Sequence, residues 1–226
     1  MLGFEDFEKG KNSFNYILKN IKTDIIKTNE NRTLLNNTVY TSQQSIGAVL
    51  DALPSNKSNI ARKINGDLFE RFIRLIISEI GIEVREGHIS IPLKVKGKEL
   101  LQMNYQHDLI IKSGSDIKAI GSVKTSSKDR IDKIFIDKFL YNRLTGKDTP
   151  HFVILLNDVQ RKGKHGNYGI NATFLSGHFK VYTVKLNPLD GVYYCDIRPN
   201  MLIEDILKDN IKTFDHLLFY DIWKFT

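Results

Sequence analysis

At 226 residues, 41% of them hydrophobic and 26% charged, the chain is long enough for one large domain with a sizeable core, and its composition is that of a globular protein. A single cysteine, Cys195, excludes an internal disulfide framework and a multi-cysteine zinc site, and no apolar run approaches the ~20 residues of a membrane span. The net charge of +7 fits a nucleic-acid binder, an enzyme of acidic substrates, a surface-bound protein or a merely lysine-rich globular one.

The opening MLGFEDFEKGKN carries acidic residues early and has no apolar core segment, so it does not read as a secretory signal, and a cytoplasmic protein is expected. Phe4 to Thr28 has largely helical spacing, with an interruption expected near Gly10. Glu30 to Ser42 is polar and Asn-rich and reads as a loop; Gln43 to Leu53 reads as a short helix ended by Pro54. Residues 1–55 are thus expected to form a helical region suited to dimerisation or DNA contact, ahead of a main unit spanning 56–226. Ser58 to Ile80 is the strongest helix, with Ser58 or Asn59 placed to cap it and Gly81 to stop it. Gly66 lies inside that pattern at a cost to helix stability, which a close approach of another backbone or of a phosphate would explain, as would chance. Glu70, between Phe69 and Phe72, is either a solvated edge residue or part of a site.

Strand-like pieces follow from Ile82 to Val95 and from Glu99 to Tyr105, the latter a lone aromatic that implies no stacking platform. In the next stretch, His107 to Leu144, Asp108 opens an apolar run, Ser113 to Asp116 form a polar turn, and a second apolar run from Ile117 to Val123 ends on Lys124. Two such runs bounded by Gly, Ser and Asp predict a hairpin, with a helix after it. Asp108 and Lys124 would then face each other on adjacent strands, a pairing suited to a divalent cation and a water nucleophile. His151 to Leu156 predicts a buried strand, Asn157 to Gly169 a basic loop, Ile170 to Gly177 a short helix, Phe179 to Leu186 and Val192 to Ile197 strands, and Met201 to Leu207 and Phe214 to Trp223 short helices. The order predicts an α/β fold: a central mixed β-sheet flanked by helices, with an N-terminal helical extension.

Asp108, then Ser122-Val123-Lys124, then a helix, all preceded by the helix carrying Gly66-Asp67-Leu68-Phe69-Glu70, resembles the PD-(D/E)XK nuclease superfamily over roughly 60–156. Two positions depart from the pattern: His107 stands where proline is usual, and Ser122 stands where the second acid is usual, which removes a metal ligand. A subgroup of restriction endonucleases that cut CC/GG-containing sites has the same Ser-x-Lys and recruits a carboxylate from the following helix, thirteen or fourteen residues after the lysine. Asp137 stands thirteen residues after Lys124. Asp132, the other acid there, lies roughly 140° around the helix from it, so the two cannot share one face. The subgroup also places a basic-acidic-basic triplet just past the lysine, where this chain has Lys128-Asp129-Arg130. Basic side chains can meet guanine N7 and O6, and an aspartate can accept from the cytosine amino group.

The resemblance implies that Asp108, the Val123 carbonyl and Asp137 hold Mg2+, with Asp137 supplying what Ser122 lacks; that Lys124 activates the attacking water; and that Glu70 reaches the metal site through a second ion or a water. It implies a type II restriction endonuclease, a homodimer on double-stranded DNA, cutting a short GC-containing palindrome to leave 5′-phosphates. Arg161, Lys162 and Lys164 could contact the DNA backbone or simply be solvated. A structure-specific or repair nuclease of the same superfamily, and a non-catalytic DNA-binding domain, are the rival readings.

Overall fold

The computed structural model describes residues 4–127, 130–164 and 167–226, with backbone alone at 4 and 160–170. A central mixed sheet of six strands, with helices around it, gives the expected α/β fold. Strands β1 (Val84–Val95), β2 (Lys98–Ser113) and β3 (Asp116–Ser126) form an antiparallel meander. Beyond β3 the sheet turns parallel, through β4 (His151–Asn157), β7 (Gly191–Tyr194) and β8 (Ile211–Thr213). Helix α4 (Ile131–Thr145) makes the crossover from β3 to β4. A separate hairpin pairs β5 (Val159–Lys164) with β6 (Asn167–Ala172).

Central strand β4 is buried on both faces, which is why HFVILL reads as an unbroken apolar run. Phe152, Ile154 and Leu156 point to one side, where they join Phe69, Ile73 and Ile77 of α3 (Ser58–Glu79) and Leu217 and Leu218 of α7 (Phe214–Phe219). Val153 and Leu155 point to the other, against Ile134 and Phe135 of α4, Phe179 of α5 (Ser176–Val181) and Leu207 of α6 (Asp205–Asn210). The N-terminal helices α1 (Phe4–Lys19) and α2 (Asn29–Asp51) share the first of these cores through Ile17, Leu18, Leu35 and Val39. Arg32 of α2 ties them to the far end of the chain, its Nε 2.6 Å from buried Asp215.

Several local expectations are corrected. Helix α1 runs through Gly10 without a break. The polar stretch from Glu30 to Ser42 is not a loop: α2 is one 23-residue helix, capped by Thr28, whose hydroxyl accepts from the Asn31 N–H at 3.2 Å. Only one file, Leu35, Val39 and Gln43, is buried on it, too narrow a stripe to stand out in an Asn-rich segment. Asn157 to Gly169 forms most of the β5–β6 hairpin rather than a loop, and its second strand replaces the helix expected from Ile170. Phe179 to Leu186 is α5 followed by a five-residue π-helix, not a strand. Its inward residues are Phe179 and Tyr182, spaced by three and both against Phe135, while Val181 and Val184 are exposed. The Ser58 helix stands as expected but without a side-chain cap.

Candidate active site

Asp108, Lys124 and Glu70 come together where the β2–β3 pair meets α3. The Lys124 ammonium lies 2.5 Å from Asp108 Oδ2 and 3.1 Å from Glu70 Oε1. The same Asp108 oxygen accepts the Val123 N–H at 2.8 Å, so the aspartate is clamped to the strand that carries the lysine.

A β-bulge sets this geometry. Between the pairs Gly87–His107 and Arg85–Ile110, β1 advances two residues and β2 three. The extra residue falls at Asp108–Leu109, where it re-aims the aspartate and breaks the strict alternation of β2. Arg74 holds the bulged backbone, donating from Nη1 to the Asp108 carbonyl at 3.3 Å and pairing through Nη2 with Glu86 at 2.7 Å. On β3, Gly121 packs where a Cβ would come within 2.6 Å of Phe152 and 2.9 Å of Leu109, so the residue three before the lysine has no room for a side chain.

Burial, reinforced by the nearby Asp108 charge, raises the Glu70 pKa; Lys124 opposes this without cancelling it. Two carboxylates crowded together and bridged by one ammonium form a site of hard oxygens that a cation would relieve. Among the described residues no three His, Cys, Asp or Glu side chains are grouped to hold a metal. Two carboxylates with a backbone carbonyl nevertheless suit magnesium, which keeps several waters and takes further oxygens from phosphate.

Asp137 lies on α4, the helix that follows the strand carrying Lys124. Its carboxylate pairs with Lys133 at 2.6 Å, one helical turn away, and no hydrogen bond or ion pair links it to Asp108, Glu70 or Lys124 among the described residues. Its charge acts on Tyr105, His107 and His151. His107 immediately precedes Asp108 and feels both aspartates, so Asp137 sits over the strand position next to the site. His107 and His151 are buried together with Tyr105 and Tyr141, and burial pushes both imidazoles down to about 4. Asp132 points elsewhere, to His178 at 3.2 Å. Ser122 is half-buried on β3.

Glu70 and Lys124 of this cluster line a cleft of about 520 Å³. One wall is α3, which contributes Arg62, Lys63, Gly66 and Asp67 beside Glu70; the other is Val123 to Ser126 with Arg130 at the start of α4. Sequence reasoning missed Arg62, Lys63 and Asp67. The signal was present: 62, 66, 70 and 74 repeat every four residues, and 63 and 67 flank them on the same helical face. Of the expected base-reading triplet, Arg130 is exposed on the cleft rim, while Lys128 and Asp129 lie outside the described residues. Arg161, Lys162 and Lys164 are on β5, where only the backbone is described.

Neither a protein-family model nor a curated protein matches the sequence. Solved structures do. The crystal structure of the type IIP restriction endonuclease Kpn2I superposes with a TM-score of 0.73 at 20% identity, covering 99% of this chain and 73% of that one. The restriction endonuclease PspGI, solved with its substrate DNA, gives a TM-score of 0.52 at 15% identity, covering 97% and 92%. No helix among the described residues is long and apolar enough to cross a membrane. The chain has the fold of the type II restriction endonucleases to which it is similar.

Proposed function

We propose that the protein is a type II restriction endonuclease: a magnesium-dependent hydrolase that cuts double-stranded DNA at a short GC-containing palindrome of the CC/GG kind and acts as a homodimer. The observation that carries this reading is the Lys124 ammonium lodged between Asp108 and Glu70 at the back of a cleft rimmed by Arg62, Lys63 and Arg130. A carboxylate and a lysine on adjacent strands at the base of a cationic cleft is an arrangement suited to phosphodiester hydrolysis, and the fold is one that such enzymes use.

Asp108, Glu70 and the Val123 carbonyl would hold magnesium, with Asp137 completing the set that Ser122 leaves short. The bound metal supplies charge neutralisation at the phosphate and a more acidic water. Lys124 would orient the attacking water and stabilise the charge that builds on the phosphate oxygens. The water oxygen bonds to phosphorus, the bond to the 3′-oxygen breaks, and the products carry a 5′-phosphate and a 3′-hydroxyl. A two-fold dimer would present two such sites to the two strands of a palindrome. Incubating plasmid or phage DNA with the purified protein should give discrete fragments with magnesium and none with a chelator. A smear, or cleavage confined to branched substrates, would replace the site-specific reading with a structure-specific one.

Base reading is assigned to Lys128, Asp129 and Arg130, with Arg161, Lys162 and Lys164 on phosphates. Losing a bidentate guanine contact costs about 1–3 kcal/mol of discrimination. Arg130→Ala should therefore weaken binding to the cognate duplex far more than to random DNA, whereas Lys162→Ala should weaken both alike and flatten the salt dependence. Competition binding in calcium at two salt concentrations measures this. An unchanged specific-to-random ratio in Arg130→Ala would reduce the triplet to a solvated helix turn.

A further inference from the structure

Gly66 stands in the middle of α3, where glycine costs helix stability relative to alanine. No packing contact requires it: a Cβ built there meets nothing within 4 Å. Gly47 on α2 differs, since its Cβ position touches the Asn65 side chain at 3.6 Å. What Gly66 does face is the cleft. It lies on the wall one turn after Arg62 and one turn before Glu70, so the cationic rim, the bare patch and the acidic cluster follow one another along a single helix face. Arg62 has only a long hydrogen bond, 3.4 Å, to Asn59, and Lys63 makes no ion pair among the described residues, so both charges are available to a ligand.

We infer that Gly66 is a seat for the DNA backbone, and that Arg62 and Lys63 grip the phosphate next to the one being cut. The inference rests on the nuclease reading and adds to it a track for the substrate strand. A sugar-phosphate backbone passing from the Lys124 cluster toward the N-terminal end of α3 must cross the helix at Gly66. Without a side chain there, a phosphate oxygen and its sugar can approach the helix surface closely, while Arg62 and Lys63 approach from the turn before. Any side chain at 66 would enter the space the strand occupies, although the free protein would accommodate it.

This predicts a separation of stability from function that a folding role for Gly66 would not give. Gly66→Ala should raise the melting temperature, by about 2–4 °C for a chain of this size. It should also weaken binding in calcium to cognate and random duplex alike by about tenfold, the scale of one lost charge-assisted contact, with Gly66→Leu weaker still. Arg62→Ala and Lys63→Ala should each lower the slope of log affinity against log salt by about one. Wild-type affinity and cleavage rate in both Gly66→Ala and Gly66→Leu would overturn the inference, as would a lower melting temperature in Gly66→Ala. Those outcomes would leave the nuclease reading intact so long as the wild-type protein cuts. A wild-type protein that neither binds nor cuts duplex DNA would remove the reading and the inference together.

Discussion

Replacing Lys124 by alanine should lower the cleavage rate by about three orders of magnitude or more while leaving cognate binding in calcium nearly intact. The ammonium contacts both carboxylates of the cluster, Asp108 and Glu70. Its loss removes the positive charge that opposes the charge building on the phosphate, but calcium can still offset the two carboxylates in the binding assay. Asp108→Ala should be at least as slow in magnesium, because it removes the carboxylate that accepts from both Lys124 and the Val123 N–H. The Val123 N–H would then lose its partner beside the bulge. Single-turnover cleavage in magnesium beside filter binding in calcium separates the two effects. Wild-type rates in either variant would remove this cluster from the chemistry.

Asp137→Ala should be inactive too, with Ser122→Ala only modestly slowed and Asp132→Ala close to wild type. The free protein holds Asp137 on Lys133, an exposed i,i+4 pair of the kind that contributes only about 0.3–0.5 kcal/mol. Releasing it for a metal therefore costs little. Asp132, bound to His178 on another face of the same helix, has no such route. The double change Ser122→Glu with Asp137→Ser returns a carboxylate to β3 and should recover part of the activity. An active Asp137→Ala beside an inactive Asp132→Ala would reverse the assignment; activity in both would leave Asp108 and Glu70 as the whole acidic set.

The centre of the molecule was legible because its pattern is local. Two apolar runs around a Ser-Gly-Ser-Asp turn specify the β2–β3 hairpin, and that pairing puts Asp108 and Lys124 on adjacent strands. The broad apolar face of α3 likewise placed Glu70 where it could join them. What was not legible depends on contacts distant in sequence. The extra residue at Asp108–Leu109 appears only when β1 is laid against β2. The cationic wall made by Arg62 and Lys63 becomes meaningful only once α3 is turned toward β3. The first part of α2, Glu30 to Ser42, looked like a loop because tertiary anchors hold it: Arg32 on Asp215 and the Asn36 amide on the Cys195 carbonyl. Those partners lie up to 183 residues away, beyond any periodicity argument. In Phe179 to Leu186, exposed valines imitated a strand, and the aromatic packing on Phe135 decided for a helix.

The central claim is that one cleft both reads and cuts duplex DNA, and sequencing the ends of a phage genome digested with the purified protein and magnesium tests it most directly. The account predicts ends that map to one short GC-containing palindrome, cut at the same position on both strands, with 5′-phosphates that ligase can rejoin. Ends scattered without sequence preference, or an undigested genome at every protein concentration, would contradict it.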